Sequence, residues 1–335
     1  MPALTPAELE HFDREGYVVV RNVIDPAKTL DPLIAEYATV LDRLADELYA
    51  KGDIASRYDE LAFGARYTKI CVETETVYNQ YFDFSLPFQN VQSDTPFWTG
   101  PAVFQALTDS DLLDAVESLI GPEITSNPVQ HVRIKPPEHL LPKNQFGNPI
   151  LGATQWHQDH GVVTEEADDT RMLTVWFSLQ DTLFEKGPLM VVPRSHKEGP
   201  QPHCPNYMDN APQFAGAAQI PEKLFAADNA IPLLVDRGDV IFMHKQTIHG
   251  SYANTSDEVR WSYDLRYNPS DQSTGRIAFP CFVARSRRNP QSELRDPAEW
   301  NRLWLETRAH MATINQGEQI DISFRRTEDA HPLCA

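Results

Sequence analysis

The residues best equipped for chemistry lie near the middle of the chain, in Thr154-Gln155-Trp156-His157-Gln158-Asp159-His160-Gly161. On a β-strand, side chains at i and i+2 leave on the same face, so His157 and Asp159 would present an imidazole and a carboxylate to a common point. That pair is two thirds of the two-histidine, one-carboxylate set that holds non-haem Fe(II) with coordination positions left open. A bare His-x-Asp is frequent by chance, and a third ligand has to come from a distant strand. His249, just past a strand introduced by Gly238-Asp239, is the first candidate. His244 ends the apolar run of that strand and competes with it, although it reads more readily as a barrel histidine satisfied by its neighbours. His160 would leave a strand on the face opposite His157. His196 and His203 fall in loop-like sequence, where they could line a pocket but read first as exposed.

Eleven residues beyond His249 stands Arg260, two before Ser262 on what reads as one strand face. A guanidinium fork beside a hydroxyl suits a carboxylate, which it can hold bidentately. Arg266 has the same parity and could serve instead. Other cations invite less: Lys135 reads as a solvated loop lysine, and Arg285, Arg287 and Arg288 as a solvated surface cluster rather than an anion site.

The elements that must position these groups follow from periodicity and punctuation. Thr5-Pro6-Ala7-Glu8 caps a helix that runs to about Glu15 and stops at Gly16. Tyr17 to Ile24 reads as a strand. A second helix starts at Asp25-Pro26 or, more cleanly, at Asp31-Pro32, with Leu33, Ile34, Tyr37, Leu41, Leu44 and Leu48 at helical spacing. Residues 78–98 are rich in aromatics, either a pocket wall or, for most of them, helix-to-core packing. Pro101 to Leu119 reads as one helix. From Thr125 the pattern turns to strands. In Met172 to Leu179 the residues Leu173, Val175, Phe177 and Leu179 form an apolar face, and Thr174, Trp176 and Ser178 share the other. A loop rich in proline, residues 197–230, is a second candidate pocket wall, and Asp296-Pro297 starts a last helix to about Met311. Helices first and many short strands after give an α+β protein on a double-sheet barrel. The expected organisation is one domain over residues 1–335, with a barrel core at about 125–270, a helical, aromatic-rich part over 1–124 and a C-terminal extension over 271–335.

The formal net charge of −19, from 29 Lys and Arg against 48 Asp and Glu, argues against nucleic acid or an anionic membrane as the main partner. Four cysteines far apart, without a C-x-x-C, read as free thiols in a reducing cytoplasm. The N-terminus lacks the features of a signal peptide, and no apolar run is long enough for a membrane span. The expected partner is a small-molecule substrate in a cytoplasmic protein; the oligomeric state stays open, with a homodimer among the options.

Several of these segments together resemble the phytanoyl-CoA dioxygenase family of Fe(II)/2-oxoglutarate oxygenases, which includes ectoine hydroxylases. They are His157-Gln158-Asp159, Leu173 to Leu179, Gly187-Pro188-Leu189 to His196, Gly238-Asp239-Val240-Ile241-Phe242, and His249-Gly250-Ser251 with Asn254. The N-terminal helix followed by Gly16-Tyr17-Val18-Val19-Val20 matches as well, so the resemblance covers roughly residues 5 to 270. It implies a double-stranded β-helix (jelly-roll, cupin-like) with flanking N- and C-terminal helices. It also implies Fe(II) on His157, Asp159 and His249, with 2-oxoglutarate and O₂ as cosubstrates. Arg260 matches the residue that grips the far carboxylate of 2-oxoglutarate. Ser251 and Trp176 match positions that approach it, and Thr174 and Ser262 are candidates on the same strand faces. The run Pro128 to Pro136 resembles the strand along the cosubstrate pocket; Gln130 and His131 are candidates there, though neighbours on a regular strand cannot both face it. Related halogenases carry a small residue in place of the metal carboxylate, so Asp159 favours oxidation of a C–H bond, with release of succinate and CO₂. The expected substrate is a small or mid-sized metabolite, such as a natural-product intermediate. Two rival readings are a metal-dependent oxygenase or isomerase that uses no 2-oxoglutarate, and a non-catalytic binding module.

Overall fold

A computed structural model describes residues 4–87, 90–144, 147–204, 219–314 and 334. The first helix, α1 (Pro6–Glu15), starts where its chemistry dictates. The Glu8 amide donates to Thr5 Oγ1 at 3.3 Å, and the Thr5 amide donates to the Glu8 carboxylate at 2.7 Å. Gly16 ends the helix at φ +82°, and a Cβ there would stand 2.3 Å from His196 Nδ1. The strand that follows, β1 (Tyr17–Val20), is shorter than expected. Its continuation turns at Asn22, φ +53°, because the Asp239 carboxylate accepts from the Asn22 amide at 2.9 Å and from Arg21 at 2.5 Å.

Helix α2 (Asp31–Lys51) buries Leu33, Tyr37, Leu41, Leu44 and Leu48 as its periodicity requires. Helices α3 (Phe63–Thr74) and α4 (Asn79–Phe82) follow. The single helix expected from Pro101 is two, α5 (Pro101–Leu107) and α6 (Ser110–Ile120), because Asp109 stops the run and caps α6 by accepting from the amides of Asp111 and Leu112. A last helix, α7 (Pro297–Ile314), closes the described chain apart from residue 334.

The remaining strands are β2 (Glu123–Lys135), β3 (Leu173–Ser178), β4 (Leu189–Val191), β5 (Ile231–Leu233), β6 (Val240–His244), β7 (His249–Ser251), β8 (Arg260–Pro269) and β9 (Phe282–Ser286). They form a six-stranded sheet in the order β1-β6-β3-β8-β2-β9 and a three-stranded sheet in the order β5-β4-β7, with every pairing antiparallel. Tyr17, Trp176, Ile241 and Met243 from the large sheet pack on Leu189, Val191 and Leu233 from the small one, so the two sheets face each other. They do not close into a continuous barrel. β1 and β5 are not hydrogen-bonded to one another, and the gap between them is lined by Tyr17, Val19, Arg21, Leu233 and Leu234.

Alternation on β3 divides the large sheet as its sequence predicts. Leu173, Val175 and Phe177 join the helix-side core with Tyr37, Leu41 and Trp261, while Trp176 belongs to the space between the sheets. Tyr81, Phe82 and Phe84, from the aromatic stretch, are buried in the helix-side core rather than lining a pocket; Phe88 lies outside the described residues. The cysteines correct another expectation. Cys204 and Cys334 form a disulfide across 130 residues of sequence, which chain spacing could not signal, and Cys71 and Cys281 are free. No described helix is long and apolar enough to cross a membrane.

Candidate metal centre and anion pocket

The His-x-Asp stretch does not sit on a regular strand. His157 exchanges backbone hydrogen bonds with His249 at 2.9 and 3.0 Å, whereas Asp159 already begins a 3-10 turn, Asp159–Val162. The segment is instead fixed through Gln158, which is fully buried. Its side-chain Nε2 donates to the carbonyls of Gln246 at 2.7 Å and Gly199 at 3.0 Å, its Oε1 accepts from the Gln201 amide at 2.8 Å, and its own amide donates to His203 Nε2 at 2.9 Å. His203 is therefore buried, not exposed, because a buried backbone amide claims its ring. Gly250 allows the close approach on the other side, since a Cβ there would lie 2.8 Å from the Thr154 carbonyl oxygen.

These constraints bring His157, Asp159 and His249 together, with one ligand atom from each within 4.8 Å of the others. Asp159 Oδ1 lies 3.8 Å from His157 Nε2 and 3.9 Å from His249 Nε2. Each ring has its tautomer set by a carbonyl, which can only accept. His157 Nδ1 donates to Gln155 O at 2.8 Å and His249 Nδ1 to Thr247 O at 2.9 Å, which leaves both Nε2 lone pairs free for a cation. Burial pushes the His157 ring down to about 3, so it stays neutral and ligand-competent. Burial alone would raise the Asp159 carboxyl. The Arg266 guanidinium, the two imidazoles and the Thr174 hydroxyl outweigh it and hold the group below the ordinary carboxylate range.

Two expected roles change here. Thr174, a candidate for the cosubstrate, donates its hydroxyl to Asp159 Oδ2. Arg266, the alternative to Arg260, is committed to carboxylates, with Nη2 2.5 Å from Asp159 Oδ1 and Nη1 3.0 Å from Asp264. Both side chains orient the metal-side carboxylate.

The second half of the site is a pair of buried cations. Arg260 Nη1 donates to Ser262 Oγ at 3.1 Å and the guanidinium lies 5.8 Å from the centre of the Trp176 ring, but among the described residues its buried Nε has no hydrogen-bond partner. Lys135, directly opposite Arg260 in the β2–β8 register, is not a solvated loop lysine. Its ammonium is buried and donates to Gly152 O at 2.9 Å, Thr154 Oγ1 at 2.8 Å and Ser251 Oγ at 3.1 Å. Burial, then Arg260 and Arg133, press its pKa well below the usual value; burial and Arg133 bring Arg260 down to about 10, still charged at neutral pH. Cations this deep and this poorly neutralised fit a dicarboxylic acid held at one end.

The other candidates fall outside this group. His131 Nδ1 is 2.7 Å from Asp83 Oδ2, and Gln130, buried at the β2 bulge, takes a 3.4 Å hydrogen bond from Ser126. His160 Nε2 faces Asp168 at 2.8 Å, and His244 packs its ring on His196, 5.3 Å between centres. Arg285 and Arg287 are paired with Asp114 and Glu117 of α6, so their cluster tethers β9 to a helix. Of the proline-rich loop, residues 205–218 lie outside the described ones. Lys135 was legible in principle: the alternation Val132-Arg133-Ile134-Lys135 puts both cations on one face of β2.

A protein-family model described as phytanoyl-CoA dioxygenase matches residues 12–262. Among curated proteins, the mouse (Mus musculus) phytanoyl-CoA dioxygenase domain-containing protein 1 is 22% identical over 306 residues, covering 84% of this chain and 99% of its own. The peroxisomal phytanoyl-CoA dioxygenase of cattle (Bos taurus) is 23% identical over 261 residues, 77% of this chain and 66% of its own. Among solved structures, the apo form of the non-haem monooxygenase ThoJ superposes with a TM-score of 0.56 at 19% identity, covering 92% of this chain and 98% of that one, which is a likeness of fold.

Proposed function

Because this chain belongs to the phytanoyl-CoA dioxygenase family, we propose that it is an Fe(II)/2-oxoglutarate-dependent oxygenase that oxidises a C–H bond of a small or mid-sized metabolite. The family uses Fe(II), 2-oxoglutarate and O₂. The observation that carries the reading is the pairing, between the two facing sheets, of a His-Asp-His cluster, its Asp159 and His249 buried, with a buried Arg260–Lys135 pair whose Arg260 Nε has no partner among the described residues. Residues 154–158 run along β7 through the His157–His249 bridge, which supports a jelly-roll reading of the two sheets.

The residues divide the work. His157, Asp159 and His249 would hold the iron, each imidazole presenting Nε2 because its Nδ1 donates to a backbone carbonyl. Arg266 and Thr174 hold the Asp159 carboxylate in place as an anion. Arg260 would pair with the far carboxylate of 2-oxoglutarate, aided by Lys135 and by the hydroxyls of Ser251 and Ser262, and Trp176 closes the pocket beside the guanidinium. Iron and 2-oxoglutarate, when bound, supply the oxidising power by oxidative decarboxylation to succinate and CO₂; the protein orients them and excludes water. Related halogenases carry a small residue in place of the metal carboxylate, so Asp159 would favour oxygen chemistry over halogenation.

The test is a metabolite screen of the iron-loaded enzyme, read as succinate release that depends on 2-oxoglutarate together with a mass gain of one oxygen in the product. Iron binding without any 2-oxoglutarate binding or consumption would overturn the reading.

A further inference from the structure

Arg133 is the group this site does not use. It lies on β2 directly opposite Ser262, and residues opposite one another in an antiparallel pair share a face, so it stands on the face of Arg260 and Ser262, one alternation from Lys135. It is exposed, and its charge reaches both buried cations, lowering the pKa of each. Among the described residues it has no ion pair, in a chain with 48 acidic and 29 basic residues, where Arg66, Arg194, Arg237, Arg266, Arg285 and Arg302 each sit on a carboxylate. The nearby acids are engaged. Asp83 faces His131 at 2.7 Å and accepts from the amides of Phe84 and Val132, and Asp264 is on Arg266.

A third cation beside two buried ones is held against mutual repulsion, and 2-oxoglutarate would not neutralise it. Asp159 and Asp264 are taken up by Arg266, and Arg260 would take the far carboxylate of 2-oxoglutarate, so none of these anions is left for Arg133. We propose that Arg133 determines substrate specificity: the primary substrate carries an anionic group, a carboxylate or a phosphate, that docks on its guanidinium at the exposed side of the pocket. This rests on the oxygenase reading and narrows its substrate class. The basic cluster at Arg285 and Arg287, by contrast, is already neutralised by Asp114 and Glu117.

The test loads the enzyme with Fe(II) and 2-oxoglutarate under nitrogen and titrates it calorimetrically with matched pairs. Free carboxylic acids are set against their methyl esters, and phosphate monoesters against the parent alcohols. The anionic member is expected to bind about tenfold tighter or more; Arg133→Met removes the preference and Arg133→Lys keeps part of it. Preference within the acid pairs identifies a carboxylate, and within the phosphate pairs a phosphate. No preference in either series, or one that survives Arg133→Met, overturns the proposal, as does a loss of 2-oxoglutarate affinity in Arg133→Met, which would assign Arg133 to the cosubstrate. Failure of the oxygenase reading looks different: the wild-type enzyme would then bind no 2-oxoglutarate before any pair is added.

Discussion

The two faces of the six-stranded sheet are built by the same strands, one residue out of phase, and they solve opposite problems. Toward the helices, Trp261 stacks on Phe63 with 4.3 Å between ring centres, Tyr263 stacks on Phe177 at 5.2 Å, and the Tyr263 and Tyr37 hydroxyls hydrogen-bond at 3.0 Å. Toward the small sheet, the alternate residues Arg260, Ser262, Asp264 and Arg266 carry charge and hydroxyls into a buried space. Burying charge destabilises a fold unless it is paired, whereas aromatic burial stabilises it. One face thus holds the strands in register so that the other can keep Arg260 and Lys135 short of counter-ions. The same step of one residue that separates Trp261 from Arg260 separates stability from chemistry.

The strongest way to break this division is at Asp159, which belongs to both problems. Asp159→Ala removes a metal ligand and also leaves the Arg266 guanidinium buried on one carboxylate fewer. Turnover should vanish, and stability should fall by about 3–5 kcal/mol, the usual cost of breaking a buried ion pair. His157→Ala should abolish turnover just as fully while leaving the melting temperature nearly unchanged, since that ring bonds one carbonyl and no charge partner is stranded. Succinate assays and thermal melts on both variants check this; equal melting temperatures would mean that Arg266 does not depend on Asp159.

Trp261→Ala attacks the dry face alone. Truncating a fully buried tryptophan should cost about 3–5 kcal/mol. At a temperature where the variant is still folded, its affinity for 2-oxoglutarate should stay within about twofold of wild type, measured anaerobically with Fe(II). A large loss of affinity without unfolding would show that the two faces are not separable.

Arg260→Met makes the converse change. The affinity for 2-oxoglutarate should drop by about a hundredfold, as expected for a charge-assisted pair in a buried pocket. The melting temperature should hold or rise, because a buried cation with an unsatisfied Nε is replaced by an apolar chain of similar length. A lower melting temperature would place Arg260 among the structural arginines with Arg266.

What the sequence made legible follows the same division. Strict alternation on β3 separated Thr174 and Trp176 from Val175 and Phe177, and parity on β8 separated Arg260 from Trp261, because a period of two is a local property of the chain. The partners across elements were not local. That Thr174 and Arg266 serve Asp159, or that the amide of Gln158 claims His203, depends on how the 3-10 turn at Asp159 meets β3 and β8. Lys135 looked solvated because prolines follow it, and proline runs usually mark exposed loops; here the register with Arg260 keeps the strand going to its last residue. The break at Asp109 and the turn at Asn22 are capping and side-chain bonds that override a helical or strand-like run.

A smaller effect locates the acid sensitivity of the fold. His244 shares parity with Phe242 at the end of the dry face, and its Nδ1 accepts from the Gln246 amide at 3.1 Å. Burial, with His196 and Lys245 close by, pushes its pKa down to about 4, against about 6.5 in the unfolded chain. Between those values the unfolded chain binds a proton that the native ring refuses. Stability from this residue is therefore complete above about pH 6.5 and is lost as pH falls toward 4, by roughly 2 kcal/mol. His244→Asn keeps an acceptor near Nδ1 and removes the titration. Its melting temperature should be lower than wild type at pH 7 and approach it at pH 4.5. A gap that stays constant between the two pH values would move the acid response off the dry face, to the His157 ring.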